Sequence, residues 1–129
     1  MEETHILENI LYNELRFRGF NVDVGVVNVN EKTERVDRNG RPIYASKPLE
    51  VDFIATSGDR RYYIQSALSL NESAKTELEK RPLRNIDDSF TKILITKNGP
   101  NAFRDDDGII TIDLFDFLLD RYTMDGTAL

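Results

Sequence analysis

The stretch Leu49–Ala67, LEVDFIATSGDRRYYIQSA, limits what this chain can fold into more than any other. Two runs of mixed apolar and polar residues flank Ser57-Gly58-Asp59-Arg60, and glycine at the first central position favours a two-residue hairpin turn. With Gly58 and Asp59 as the turn, Val51 faces Ser66, Phe53 faces Ile64 and Ala55 faces Tyr62 on one surface. Side chains alternate along a strand, so the other surface carries Glu50 with Ala67, Asp52 with Gln65, and Ile54 with Tyr63. An acid on one strand is set against an amide on the next. A loop one residue longer would slip this register by one.

The chain has 129 residues, the size of one ordinary domain, so a single domain over 1–129 is expected. Its formal net charge of -6 gives no general attraction to nucleic acid or an anionic membrane, although a local basic surface remains compatible with it. Cysteine is absent, which excludes a disulfide framework, a zinc knuckle and a thiol nucleophile, and fits a reducing compartment. No apolar run approaches the ~20 residues needed to span a bilayer. Met1-Glu2-Glu3-Thr4 lacks the basic start of a signal peptide. A cytoplasmic domain without a membrane partner is the expectation.

Glu2 to Arg18 reads as an amphipathic helix, with Leu7, Ile10, Leu11, Glu14 and Leu15 at helical spacing and Ile6 and Phe17 widening the stripe. Thr4 is placed to cap it and Gly19 to stop it. Glu8 lies at the edge of the stripe, either looking inward or as a solvated flank residue. The valine-rich Phe20–Val29 reads as a strand. Between Asn30 and Pro48 the Asn39-Gly40 pair favours a hairpin extension, Val27–Glu34 against Pro42–Leu49 around Asp37–Gly40, over a long loop. Its cations Lys32, Arg35, Arg38, Arg41 and Lys47 are within reach of a phosphate backbone, though such a run reads first as a solvated arm.

After the central hairpin, Ser69–Arg81 suits a helix capped by Asn71 and stopped by Pro82. Phe90–Thr96 has the pattern of a buried strand, and Gly108–Ile112 that of another. Between them Arg104–Gly108 reads as a charged turn. Asp113 can cap a closing apolar helix, Leu114–Tyr122. The expected order, helix, three strands, helix, two strands, helix, gives an α/β fold with one mixed central sheet flanked by helices.

Metal-dependent phosphodiester cleavage needs hard oxygen ligands on a rigid element and gains from a nearby lysine. The hairpin offers Asp52, then Gln65-Ser66-Ala67, with Glu50 as a further carboxylate. An amide oxygen carries no charge and binds a cation more weakly, and Ala67 supplies nothing. His5 is the only histidine and sits near a helix start, which argues against a Ser–His–Asp triad or a multi-histidine metal site. Asp105-Asp106-Asp107 reads as a solvated turn before a calcium site. Tyr62 reads as core and Tyr63 as half-buried, before either reads as a base-stacking platform.

The residues Leu7-Glu8-Asn9-Ile10, Tyr12-Asn13-Glu14-Leu15 and Arg18-Gly19 recur in a known pattern with Glu50-Val51-Asp52-Phe53-Ile54-Ala55 and Tyr62-Tyr63-Ile64-Gln65-Ser66-Ala67. Arg81-Pro82-Leu83, Ile86-Asp87-Asp88-Ser89-Phe90, Lys92, Gly108-Ile109 and Asp116-Phe117-Leu118-Leu119 continue it. In these the chain resembles the nuclease-like domain of unknown function that follows the motor in many prokaryotic AAA-type ATPases. No phosphate-binding Gly-rich loop is present, so the motor itself is not in this chain. The resemblance implies a C-terminal fragment of a larger ATPase, or a freestanding relative with an ATPase partner. It also implies a restriction-endonuclease-like fold of the PD-(D/E)xK superfamily. By position, Asp52 matches that superfamily's acidic residue, Gln65 stands where an Asp or Glu stands, and Ala67 stands where its lysine stands. Glu8 matches the acid that many such enzymes place on the first helix.

Two functions follow. One is a non-catalytic interaction module contacting nucleic acid or a protein partner. The alternative is a metal-dependent DNA nuclease with an atypical site, in which Glu8, Asp52 and Gln65 bind Mg or Mn and a base such as Lys75 or Lys92 arrives from elsewhere. A third possibility for the polar pair is purely mechanical: Asp52 and Gln65 hydrogen-bond to hold sheet and helix together. Whichever holds, Glu8, Asp52 and Gln65 are expected to converge where the first helix crosses the strand pair.

Overall fold

A computed structural model of the chain describes residues 3–67, 73–97, 103–119 and 124–125. Helix α1 (Glu3–Phe17) is followed by strands β1 (Asn21–Val36), β2 (Pro42–Ser57) and β3 (Arg60–Ala67). Helix α2 (Ser73–Arg84), strands β4 (Thr91–Thr96), β5 (Phe103–Arg104) and β6 (Ile110–Asp113), and helix α3 (Leu114–Leu118) complete the order. The strands form one mixed sheet in the order β1-β2-β3-β4-β6-β5. β3, β4 and β6 run parallel, and the other neighbours antiparallel. The α/β class and the mixed sheet flanked by helices agree with the sequence reading. The two-residue β5 is an addition to it.

Two apolar layers cover the sheet. On one face, Leu11 and Leu15 of α1 and Leu114 and Phe117 of α3 pack on Ile64, Ile93, Ile95, Ile110 and Ile112. On the other, Leu83 of α2 packs with Val51, Tyr63, Leu94 and Ile109. Consecutive β4 residues thus serve opposite layers, which is why that strand reads as an unbroken apolar run. No helix among the described residues is long and apolar enough to cross a membrane.

The end of α1 follows from its sequence. Phe20 N–H donates to Leu15 C=O at 3.1 Å and Gly19 N–H to Arg16 C=O at 3.0 Å, with Gly19 at φ 93. This is the two-bond Schellman closure, and Phe20 and Leu15 meet in the core beneath it. Thr4 lies inside the helix and is not its cap, since α1 already includes Glu3. Phe17 is 88% exposed, and Ile6 and Ile10 are also exposed, so the buried stripe is the narrower Leu7–Leu11–Leu15.

Pro82 does not stop α2 but sits within its last turn. The missing N–H is tolerated there because the helix ends two residues later, and Leu83 gains full burial in the core. The proposed cap Asn71 and the start at Ser69 lie outside the described residues. Phe90 precedes β4 and is exposed, and β6 begins at Ile110 rather than Gly108. Asp113 caps α3 as expected, accepting from Phe115 and Asp116 N–H, but the helix ends at Leu118 and Phe115 and Leu119 are exposed. Tyr122 is outside the described residues.

The extended hairpin forms. β1 pairs with β2 from Asn21↔Thr56 to Val36↔Pro42, and its tip is closed by Asp37 N–H to Arg41 C=O at 2.9 Å. Asp37 Oδ1 accepts from Asn39 and Arg41 N–H, so the Asx turn that Asp-x-Asn-Gly encodes is present.

Candidate functional site

The register around Gly58 is the expected one: β2 and β3 pair from Ser57↔Arg60 to Phe53↔Ile64. Beyond Phe53 the ladder stops, and the expected pairs Asp52 with Gln65, Val51 with Ser66 and Glu50 with Ala67 are not made. The cause lies on the far side of β2. Asp23 pairs with Ile54 and Gly25 with Val51, so Asp52 and Phe53 together oppose Val24. That is a β-bulge, and it exchanges the faces of everything before it. Val51, expected beside Phe53, instead joins the α2 layer with Ile54 and Tyr63.

Gly25 pairs with Val51 directly beside the bulge. A Cβ at this buried position would collide with the side-chain end of Ile54 and lie 3.5 Å from Val51 Cβ. Ile54 occupies the space that any larger residue at position 25 would need.

Where the ladder stops, side chains replace it. Gln65 Oε1 accepts Asp52 N–H at 2.8 Å. Asp52 Oδ2 accepts Ser66 N–H at 2.9 Å and the Ser66 hydroxyl at 2.6 Å. Gln65 Nε2 donates to Glu79 of α2 at 2.9 Å. Gln65 and Ser66 are buried, so each of these bonds satisfies a group that water does not reach freely.

Glu8 of α1 enters from the other side. With Asn9, Tyr12, Glu50, Asp52 and Phe53 it lines a small open cleft, and the Tyr12 and Phe53 rings lie 6.4 Å apart along its wall. Burial pushes the Glu8 carboxyl above its ordinary value, and the charges of Asp52 and Glu79 push the same way against His5 and the Ser66 hydroxyl. Glu79 is raised too, by burial first and by Asp52 as well, with donation from Gln65 opposing. Three carboxylates therefore share one corner of the fold. Glu79 was not singled out from the sequence. The available signal was its spacing, one helical turn before the fully buried Leu83, which puts a carboxylate on the packed side of α2.

The remaining candidates lie elsewhere. Ala67 is half-buried against the α2 layer. Lys92 does not arrive at this corner: its ammonium donates to the Asp88 and Phe90 carbonyls at 2.7 and 2.9 Å and lies beside the Tyr63 ring. The side chain of Lys75 is outside those described. Tyr63 is buried rather than half-buried, and its hydroxyl donates to Asp88 Oδ2 at 2.6 Å. Tyr62 is core, edge-on to Phe20. Asp105 is not solvated. It pairs with the buried Lys80 at 2.9 Å while Oδ1 accepts from Asp107 and Ile109 N–H.

A divalent cation of the kind the resemblance implies needs open carboxylate oxygens. Here Asp52 Oδ2 and Gln65 Oε1 are taken up by backbone N–H groups and the Ser66 hydroxyl. Among the described residues no three His, Cys, Asp or Glu side chains are arranged to hold a metal ion. As folded, these two oxygens are offered to protein donors rather than to Mg or Mn.

No family model matches the chain. An uncharacterized protein of Haemophilus influenzae is 34% identical to it over 113 residues, covering 88% of this chain and 22% of that protein. The chain thus spans about a fifth of the length of the relative it matches.

Proposed function

We propose that the chain is a non-catalytic, nuclease-like interaction module that works as part of, or beside, a larger ATPase and contacts nucleic acid or a protein partner. One observation carries this reading. At the position where a nuclease of the resembled superfamily needs an open acid and a lysine, this chain has Gln65 locked between Asp52 N–H and Glu79, and Ala67. The corner works as a polar latch joining β2, β3 and α2. The restriction-endonuclease-like arrangement and the ATPase association are part of the proposal. Its support is the resemblance, together with a relative in which this stretch belongs to a much longer protein.

One observation favours the competing reading, a metal-dependent DNA nuclease: Glu8 and Asp52 line a single cleft. A plasmid-nicking assay of the 129-residue chain with manganese decides between them. The module reading expects equal background from wild type and Asp52→Ala, and no rise in melting temperature on titration with manganese. Nicking by wild type that Asp52→Ala abolishes overturns it.

A further inference from the structure

The ribbon formed by the far halves of β1 and β2 has no role in the core. None of the residues from Lys32 to Ser46 belongs to either apolar layer. Its last anchor is Glu31, which pairs with Arg81 of α2 and with Lys47. From there to the Asp37–Arg41 tip the ribbon extends roughly 15 Å, at the usual rise of ~3.3 Å per residue. Near the tip β1 carries a second irregularity between Lys32 and Val36, held by the Thr33 hydroxyl, which donates to Ile43 C=O at 2.7 Å and accepts Arg35 N–H at 3.2 Å. The arm has a defined shape, paired at Lys32↔Tyr44 and Val36↔Pro42 on either side of this irregularity.

Its charge runs against that of the chain. Residues 30–48 carry five cations and three anions in a chain of formal net charge -6. Two of the anions are already spent: Glu31 on Arg81 and Lys47, and Asp37 on the tip turn. The charged ends of Lys32, Arg35, Arg38 and Arg41 are exposed and make no hydrogen bond or ion pair among the described residues. Cations on an edge strand often serve only to prevent strand-to-strand association. That function would place them along the apolar part of the edge. There the exposed Val24 and Val26 have no cation beside them on β1, and the positive charge begins only at Lys32.

The geometry points to this arm as a binding element for double-stranded nucleic acid, with Lys32, Arg35, Arg38 and Arg41 on the phosphates. The inference rests on the module reading above and names its ligand. A two-stranded ribbon fits the ~12 Å width of the major groove. Guanidinium groups suit phosphate geometry, and three of the four unpaired cations are arginine. The rest of the chain is net acidic, so the arm is the segment whose charge favours a phosphate contact.

The test is fluorescence anisotropy of the 129-residue chain with a labelled DNA duplex in EDTA, between about 50 and 200 mM salt. Wild type is expected to bind with a log–log salt slope of about −3.6, for four phosphates at about 0.9 each. Each single replacement by Ala lowers the slope by about one. The quadruple Lys32→Ala/Arg35→Ala/Arg38→Ala/Arg41→Ala variant loses salt-dependent binding and melts like wild type. If that variant does not fold, the single Lys32→Ala and Arg38→Ala slopes carry the test. No binding by wild type overturns the inference, as do unchanged slopes in the variants. Displacement of the duplex by polyglutamate as readily as by equally charged competitor DNA also overturns it, assigning the arm to acidic proteins. The nicking assay separates the two proposals. Nicking that depends on Asp52 removes the module reading and this inference with it, whereas absent duplex binding without nicking removes the arm alone.

Discussion

Gln65 offers its side-chain oxygen to the backbone N–H of Asp52 at 2.8 Å, at the place where the strands carrying them stop pairing. Asp52 returns the favour one residue on, accepting Ser66 N–H and hydroxyl with one carboxylate oxygen. The bulge at Asp52-Phe53 takes the backbone groups of the two strands out of register. These side chains then supply the missing acceptors, since buried backbone donors left unpaired are costly.

Replacing Gln65 therefore costs more than a surface amide would. Gln65→Ala strands Asp52 N–H and removes the donor to Glu79. It is expected to destabilise the fold by about 2 kcal/mol, read as a drop of roughly 5–10 °C in melting temperature. Gln65→Glu keeps the acceptor but sets a fourth carboxylate near Glu8, Asp52 and Glu79, so it should lose more stability at neutral pH than near pH 5. Wild-type stability in Gln65→Ala would show that the latch holds nothing.

The raised carboxyls set a pH dependence of definite sign. Glu8 and Glu79 hold protons more tightly folded than unfolded, mainly because burial disfavours their charged forms. Their contribution is favourable below the ordinary value of 4.5 and is lost as pH rises through the raised folded values. Glu79→Gln retains a side-chain oxygen for Gln65 and removes the penalty. Its melting temperature is expected to match wild type near about pH 4 and to exceed it increasingly towards pH 7. A difference that stays flat across that range would sink this assignment.

Asp105 and Lys80 give the opposite sign. Burial alone would raise Asp105, but donation and charge from Lys80 and two backbone N–H groups bring it below its ordinary 3.8. The stability it supplies is present above that value and is lost as pH falls through the depressed folded one. Asp105→Ala leaves the Lys80 ammonium unpaired at 10% side-chain exposure and should cost about 3 kcal/mol at neutral pH. Adding Lys80→Met should recover much of that loss, and a double-mutant cycle in urea measures it. Additive losses would show that the two do not interact.

Gly25→Ala tests the close packing beside the bulge. The new methyl meets the end of Ile54, so the expected cost is about 1–3 kcal/mol. Ile54→Val removes the δ-methyl and should lessen the penalty in the double variant, to be checked by denaturant midpoints. If Ile54→Val gives no relief, the contact is not what excludes a side chain at position 25.

Much of this architecture was legible in local chemistry. Gly58-Asp59 placed the β2–β3 turn, Asn39-Gly40 with Asp37 placed the arm, and Gly19 ended α1, because each is a decision made within a few residues. The alternation of Phe53, Ala55, Ile64 and Tyr62 put those four on one surface correctly, and the structure packs α1 against it. The fault lay at Asp52. A period of two assumes an unbroken ladder, and two signals spoke against one: Gly25 within the valine-rich strand, and Val51 and Ile54 at a spacing that no single strand face produces.

What remained for the tertiary structure was everything set by residues distant in sequence. Glu8 meets Asp52 in one cleft as the sequence reading expects, but Glu79 joins the corner from a fourth element that no local rule places there. The hairpin at Leu49–Ala67 supplied the residue types from which a hydrolytic metal site is made. The bulge and the packing of α2 decided that Asp52 and Gln65 accept backbone N–H groups. An oxygen committed to satisfying a buried donor has less to offer a cation, and that competition is settled only in the folded chain.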